Sequence, residues 1–276
     1  MSYIGLHIDS TPSSLIDQIK YYNEKNCKVI QLFVSLNKSA RNFYKPIKEL
    51  CKTFNMKISV HISYTINIAN DPNKYSWGIR QFIEEIKIAH EIGAFAVVVH
   101  LGKQLDLPLE IALNNMLINL IKVKNETKHL DINILLETST GQGSELCYNL
   151  DDFAKFYKKI RKHNIFGICL DTCHIFNAGY DISNIKSVEK YFKEFDEKIG
   201  LTEIKLIHLN DSYNKLGQKI DRHANIGKGY IGEIGLKQIV MFFSKIGVPL
   251  VLETPDEYIN EDFEKLKKYC LETFKI

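Results

Sequence analysis

The chain alternates short runs of apolar, often β-branched residues with longer stretches in which apolar residues recur every three or four positions. Short apolar runs are typical of strands buried on both faces, and the longer spacing is typical of amphipathic helices. Eight runs are predicted to be strands: 3–9, 28–34, 57–63, 94–100, 132–138, 166–172, 203–210 and 248–254. Amphipathic stretches such as 76–93 and 150–164 lie between them.

Eight strand–helix units in 276 residues predict an α/β fold, a (β/α)₈ TIM barrel with a closed parallel sheet. No linker, low-complexity tract or repeat interrupts the series, so we expect residues 1–276 to form a single domain. Functional side chains of such barrels lie at the C-terminal ends of the strands. The residues that close each predicted strand are therefore the first candidates for a site.

Histidines and carboxylates occupy the ends of six predicted strands. In chain order these are His61, His100, Glu137, Asp171, His208 and Glu253. Three more candidates lie beyond strand ends, namely His174, Asp221 and His223. Asp221 and His223 are two positions apart and point the same way if the chain is extended there. All nine side chains are thus predicted at one face of the barrel.

A single histidine at a strand end is usually a hydrogen-bonded core residue, but four carboxylates at one face would repel one another and become protonated. No lysine or arginine ends the strands that carry them. Divalent cations would supply the missing positive charge, and mixed imidazole and carboxylate ligands suit zinc, with manganese or iron as alternatives. His7 ends the first strand without an evident partner, and His90, His129 and His163 fall in predicted helices, so we expect these four outside the ligand set.

Composition says little about binding partners, whereas the N-terminal residues and the cysteines indicate in which compartment the protein is expected. The chain is 45% hydrophobic and 25% charged with a net charge of +3, which neither demands nor excludes nucleic acid. The start, MSYIGLHIDS, lacks the basic and apolar regions of a secretion signal, and the six cysteines include no CxxC pair. We therefore expect reduced thiols in an intracellular protein of the cytoplasm, the nucleus or a viral particle, with Cys169 and Cys173 as small buried residues rather than ligands. No apolar run is long enough to span a membrane.

Six motifs in this order resemble the endonuclease IV type of apurinic/apyrimidinic (AP) endonuclease, a family of trinuclear-zinc DNA repair enzymes. They are HISYTIN (61–67), LETSTGQG (136–143), DTCHIFNAGYD (171–181), HLNDS (208–212), DRHANIGKGYIG (221–232) and LETP (252–255). The resemblance runs nearly end to end and implies three zinc ions. One would be held by His61, His100 and Glu137. Glu137 would bridge to a second, held also by Asp171, His208 and Glu253. The third would be held by His174, Asp221 and His223.

The resemblance implies hydrolysis of the phosphodiester 5′ to an abasic site in duplex DNA, leaving a 3′-hydroxyl and a 5′-deoxyribose-phosphate. Removal of blocked 3′ ends is a further implied activity. A water bridging two zinc ions would ionise near pH ~7 and act as the nucleophile, with Glu137 as the catalytic candidate because it bridges the same ions. The implied partner is double-stranded DNA with abasic sites, bound by a monomer, with no membrane.

Candidate DNA contacts also follow from the resemblance. Tyr64 would fill the gap at the lesion, and Arg222 and Lys228 would meet phosphates. The family commonly has a large aliphatic residue after this tyrosine, where the present chain has Thr65. The segment after the second strand is longer than usual, and Arg41 is the best match for the family's arginine there. With Thr65 so small, Arg41 or Phe43 from this segment is expected to assist Tyr64.

Two further positions depart from the family pattern. Leu101 replaces a proline after His100, and Tyr213 replaces a lysine after the NDS run. Two alternative functions also remain open. Sugar isomerases and epimerases share the barrel and use metal-bound histidines and carboxylates, but usually with fewer metals. A non-enzymatic damage-binding protein is the other alternative, and the complete ligand set argues against it.

Overall fold

The computed structural model describes residues 2–74 and 76–274, and a closed barrel of eight parallel strands lies at its centre. The strands in chain order are β1 (Ile4–His7), β2 (Val29–Phe33), β3 (Lys57–His61), β4 (Ala96–His100), β5 (Asn133–Glu137), β6 (Phe166–Asp171), β7 (Ile204–His208), β8 (Asp211–Ser212), β9 (His223–Ala224) and β10 (Leu250–Leu252). The barrel runs from β1 through β7 and closes through β10, while β8 and β9 form a separate antiparallel pair. The predicted TIM barrel and its eight strands are confirmed.

Helices follow the barrel strands and cover the outside of the sheet. In chain order they are α1 (Pro12–Glu24), α2 (Lys38–Arg41), α3 (Tyr44–Thr53), α4 (Ser76–Glu91), α5 (Leu109–Thr127), α6 (Leu150–Ile160), α7 (Thr172–Asn177), α8 (Ile185–Lys198), α9 (Gly232–Lys245) and α10 (Ile259–Thr273). Two of them, α2 and α7, are short insertions in the loops after β2 and β6. His129 and His163, which were predicted in helices, instead lie in the turns after α5 and α6. Across residues 2–74 and 76–274, no helix combines the length and apolarity needed to cross a bilayer.

Two apolar cores hold the barrel together. The larger one fills the space between the strands and the surrounding helices. The smaller one fills the barrel interior and consists of Val29, Ala96, Val98, Leu135, Cys169, Leu206 and Val251. The strand register aligns His100 with Glu137 and Asp171 with His208 at the C-terminal edge of the sheet. Polar strand ends therefore meet at one mouth, above an interior closed by apolar side chains.

Candidate metal centre

Glu137 lies at the centre of the polar cluster at this mouth. Its Oε2 lies 3.2 Å from His61 Nε2 and 3.0 Å from His100 Nε2, and its Oε1 lies 2.8 Å from His208 Nδ1. Burial acts to raise the pKa of Glu137, but the neighbouring His100 and His208 outweigh it and hold this pKa well below its usual range. Glu137 is therefore a charged carboxylate whose two oxygens face rings from opposite sides.

A second group of ligand atoms forms around His208. Its Nδ1 lies 3.0 Å from Glu253 Oε2 and 3.9 Å from Asp171 Oδ2. Together with Glu137, these residues each offer a ligand atom within 4.8 Å of the others. Asp171 ends β6 and also caps α7, because its Oδ1 accepts a hydrogen bond of 2.9 Å from the backbone N–H of His174. The cap fixes Asp171 so that Oδ2 faces the cluster.

The third group forms around Asp221 in the loop between β8 and β9. Asp221 Oδ1 lies 3.2 Å from His174 Nε2 and 3.4 Å from His223 Nε2. Asp171 Oδ2 also approaches His223 Nε2, at 3.5 Å, and these two residues and His174 form another possible ligand group. The structure thus brings together all nine candidates. It also places Asp171 within reach of two groups, which the sequence did not indicate.

Three of the histidines use their Nδ1 nitrogen to donate a hydrogen bond to a backbone carbonyl oxygen. His61 Nδ1 donates to the Ile62 carbonyl at 2.8 Å, and His174 Nδ1 donates to the Thr138 carbonyl at 2.6 Å. His223 Nδ1 makes the same kind of bond to the carbonyl of Glu253 at 3.0 Å. Metal-binding histidines almost always use their second nitrogen in this way, because the bond fixes the ring and the tautomer.

Two of these rings leave an unsatisfied atom inside the cluster. The Nε2 atoms of His174 and His223 are buried and make no hydrogen bond, although carboxylate oxygens of Asp221 and Asp171 lie 3.2–3.5 Å from them. A buried polar atom without a partner is costly, whereas a nitrogen that coordinates a cation is satisfied. The ion pairs that the described residues give the four carboxylates are all with histidines, not with lysine or arginine. The donor set therefore fits divalent cations, as the sequence predicts.

Two cysteines lie close enough to the cluster to be considered as ligands. Cys169 belongs to a possible group with Glu137 and His208, and Cys173 to one with Asp221 and His223. In the metal-free cluster, burial raises the pKa of each thiol to about 12. These findings agree with the expectation that the two residues are small, buried and apolar in character.

Several polar residues of the cluster were missed by the sequence analysis. His7, which has no evident partner in the sequence, lies beside the cluster and outside the ligand groups, with its Nδ1 3.4 Å from Glu253 Oε1. Asn210 Nδ2 donates to Asp171 Oδ2 at 2.7 Å, and its Oδ1 accepts from the backbone N–H of Glu253 at 2.8 Å. Gln31 is fully buried beneath them. The available signal for Gln31 was its position as a lone polar residue within the apolar run VIQLFV.

The glycine-rich run after His223 is folded around the buried carboxylate of Asp211. This carboxylate accepts hydrogen bonds from the backbone N–H groups of Gly227, Gly229 and Ile231 at 2.9, 3.2 and 2.9 Å. A Cβ atom at Gly229 would lie only 2.5 Å from Asp211 Oδ1, so the loop can close only over a glycine here. The run therefore supports the loop behind His223, and these N–H groups do not face outward toward a phosphate.

Tyr64 and Thr65 follow directly on the His61 strand end, at the rim of the mouth. The Tyr64 side chain is 70% exposed, and its ring packs edge-on against Phe33 with centroids 5.2 Å apart. Thr65 is exposed, and its hydroxyl lies 2.8 Å from the hydroxyl of Ser63. The segment thus presents one aromatic ring to solvent beside the cluster, and the threonine hydroxyl has a local partner.

The three candidate cations for phosphate contacts have different surroundings. Arg222 is exposed between Asp221 and His223. Lys228 is exposed, and its ammonium lies over the ring of Tyr258. Arg41 lies in α2, with its guanidinium 4.0 Å from the Glu84 carboxylate. The charge of Arg41 is therefore partly offset by an acid on α4.

The two other departures from the family pattern lie in contrasting places. Leu101, in place of a proline, is buried just after the end of β4. Tyr213 is 68% exposed at the start of the loop between β8 and β9. Its backbone N–H donates to the Arg222 carbonyl at 3.0 Å. The tyrosine therefore adds an aromatic surface, rather than a positive charge, to the same loop that carries Arg222.

A closed barrel with five histidines and four carboxylates at its mouth defines a TIM-barrel protein with a candidate centre for several metal ions. Comparison with known proteins makes the class more specific. Residues 20–270 match the family described as xylose isomerase-like TIM barrel. A putative endonuclease 4 of Acanthamoeba polyphaga mimivirus is 32% identical over 289 aligned residues, which cover 99% of this chain and 92% of the relative. The chain belongs to the endonuclease IV family within these barrels.

Two further comparisons agree with that assignment. The apurinic-apyrimidinic endonuclease 1 of Schizosaccharomyces pombe is 36% identical over 217 residues, which cover 78% of this chain and 63% of the relative. The crystal structure of endonuclease IV from Thermus thermophilus superposes with a TM-score of 0.79 at 22% identity, covering 98% of this chain and 99% of that one. At this identity the superposition shows the fold alone.

Proposed function

We propose that the chain is a zinc-dependent AP endonuclease that cuts the phosphodiester 5′ to abasic sites in duplex DNA, and that residues 1–276 act as one domain. The supporting observation is that the nine predicted side chains lie in neighbouring ligand groups at the barrel mouth, where two buried histidine nitrogens make no hydrogen bond. The names of the mimivirus and fission yeast relatives support a nuclease that acts on DNA damage. The expected products carry a 3′-hydroxyl and a 5′-deoxyribose-phosphate, and blocked 3′ ends are expected as further substrates.

The proposed ligands fall into three sets, and Glu137 belongs to the first two of them. They are His61, His100 and Glu137; Glu137, Asp171, His208 and Glu253; and His174, Asp221 and His223. Bound zinc would lower the pKa of a coordinated water to about 7 and offset charge on the phosphate. The role of the chain is to keep the metal-facing nitrogen of each histidine unprotonated and to keep the carboxylates ionised. The carbonyls of Ile62, Thr138 and Glu253 perform the first task by accepting the outer ring protons.

The substrate is expected to lie across the rim formed by Tyr64, Arg222 and Lys228. An abasic sugar has no base to stack or pair, so turning it out of the duplex costs less than turning out a normal nucleotide. The exposed ring of Tyr64 can then stack where the base is missing. We propose that the protein works as a monomer, because each of the proposed ligands comes from the same chain. We also propose that it works inside the cell.

The decisive experiment uses a 5′-labelled duplex with one abasic site and an otherwise identical undamaged duplex. We expect the zinc-loaded protein to cut only the damaged strand, on the 5′ side of the lesion. DNA polymerase should extend the product directly, since a 3′-hydroxyl is expected. A zinc-loaded protein that leaves the abasic duplex intact would contradict the proposal, and interconversion of free sugars by that protein would instead support an isomerase.

Removal of the Tyr64 ring should weaken binding to abasic duplex much more than removal of the Thr65 side-chain hydroxyl and methyl groups. Stacking of a base on an aromatic ring is worth about 1–3 kcal/mol, so Tyr64→Ala should raise Kd roughly 5- to 150-fold. Thr65→Ala should have a small effect, because the hydroxyl bonds to Ser63. Binding is measured by fluorescence anisotropy, with zinc content as the control for an intact centre. Equal and negligible effects of both changes would mean that the lesion is probed by other residues.

A further inference from the structure

The side chain of Gln31 touches two of the proposed zinc ligands at once. Gln31 lies in β2, where it is paired with His7 of β1 and Ser59 of β3. Its Oε1 lies 2.9 Å from His208 Nε2, and its Nε2 donates to Glu253 Oε1 at 2.6 Å. The residue is fully buried, and a buried amide is costly unless such bonds are made. Gln31 therefore has a fixed position behind the cluster.

The chemistry of Glu253 fixes the orientation of this amide. An ionised carboxylate only accepts hydrogen bonds, so the NH₂ group of Gln31 must face Glu253 and its oxygen must face His208. The oxygen can accept a hydrogen bond from His208 across this 2.9 Å contact only if His208 Nε2 carries the ring proton. In a neutral ring the other nitrogen, Nδ1, then keeps its lone pair. That atom lies 2.8 Å from Glu137 Oε1 and 3.0 Å from Glu253 Oε2, inside the second ligand group.

We propose that Gln31 is a positioning residue for one zinc ion, the one assigned to Glu137, Asp171, His208 and Glu253. The amide selects the metal-facing nitrogen of His208. By occupying Oε1 of Glu253, it also leaves Oε2 to face the same point. The inference rests on the proposed zinc centre and assigns no contact between Gln31 and DNA. Partners that hold a metal ligand in this way contribute about 10- to 100-fold to metal affinity.

Zinc binding by Gln31→Met tests the inference directly. Methionine has nearly the same length as glutamine but makes neither hydrogen bond. We expect one of the three zinc ions to bind about 10- to 100-fold more weakly, while the other two keep wild-type affinity. Zinc content is measured by elemental analysis, and affinity by competition with a chromophoric chelator. A general loss of barrel stability would weaken all three ions alike, so an unequal loss separates positioning from a structural role.

Ser59→Ala is the matched control, because the Ser59 hydroxyl lies 3.3 Å from the same Gln31 Oε1 and 3.4 Å from the Ile30 carbonyl, and can donate to either. This variant should retain all three zinc ions. Gln31→Leu is a second test variant that also makes neither hydrogen bond, and it should likewise lose one ion.

Wild-type affinity for all three ions in a folded Gln31→Met or Gln31→Leu protein would overturn the inference while leaving the proposed function standing. A wild-type protein that binds no zinc would instead refute the proposed function itself. Measuring the wild-type protein first therefore separates the two failures.

Discussion

Glu137→Gln is expected to leave the barrel folded and to slow cleavage of an abasic duplex at least about 1000-fold, which corresponds to roughly 4 kcal/mol of transition-state free energy. Glutamine has nearly the same shape as glutamate, so the packing at the end of β5 should persist. It carries no charge, however, and it replaces one of two oxygens with an NH₂ group. The side chain that faces His61 and His100 on one side and His208 on the other would no longer be an anionic bridge.

The measurement is the single-turnover rate on zinc-loaded protein, together with zinc content and circular dichroism. Glu203→Gln is the matched control, because Glu203 directly precedes β7 at the opposite end of the barrel. There it accepts a hydrogen bond of 2.7 Å from Tyr157 and pairs with Arg161 at 3.5 Å. The control should cleave at the wild-type rate. A Glu137→Gln rate close to that of the control would remove Glu137 from its proposed role.

The fold was predictable because apolar runs indicate the strands, and polar residues indicate the ends of the strands that meet at the mouth. The run NILLE is an example. Because Glu137 is charged, it can follow the buried apolar residues of this strand only where the strand reaches the mouth of the barrel. The same reasoning places His61, Asp171 and His208. It does not depend on which strands are neighbours, because all parallel strands of one barrel end at the same mouth.

Contacts across the mouth were not predictable in the same way. The lone polar residue of β2 indicates that Gln31 needs a buried partner, but that partner, Glu253, is 222 positions away along the chain. The double approach of Asp171 to His208 and His223 depends on how the β8–β9 loop folds over α7. Such distances are set by barrel closure and loop packing, and neither leaves a periodic pattern in the sequence.

The DNA-facing residues illustrate a second limit. The sequence indicates where Arg41 lies relative to the second strand, but not that its guanidinium approaches Glu84 on α4. Surface side chains have few packing constraints, so their partners depend on the length and course of each loop. Thr65 and Tyr213 depart from the family pattern, and both lie at the rim. We therefore expect them to change DNA binding and to leave the metal ligands unchanged.

Removal of zinc is expected to abolish cleavage and to lower the thermal unfolding temperature of the protein, with recovery on adding zinc back. A ligand present at 100 times its Kd stabilises the folded state by about 2.7 kcal/mol. For chains of this size each kcal/mol moves Tm by roughly 2–4 °C, so a loss of at least about 5 °C is expected. The comparison uses chelator-treated protein, the same protein with zinc restored, and chelator-treated protein given magnesium instead.

The fall in Tm on zinc removal should be larger at higher pH. The direction of this dependence follows from the pKa shifts of histidines in the metal-free cluster. Burial acts to lower the pKa of His100 and of His174, but Glu137 raises the first and Asp171 and Asp221 raise the second well above its usual value. A histidine with a raised pKa in the folded state stabilises the protein fully below its unfolded pKa of about 6.5, and this contribution disappears as the pH rises through the folded value.

Zinc has the opposite dependence, because it competes with protons for the same ring nitrogens and therefore stabilises more at high pH. The difference in Tm between zinc-loaded and metal-free protein should consequently be larger at pH 8 than at pH 6. Differential scanning calorimetry of both forms at the two pH values measures it. A difference that stays constant or shrinks toward pH 8 would show that these histidines do not bind the stabilising metal.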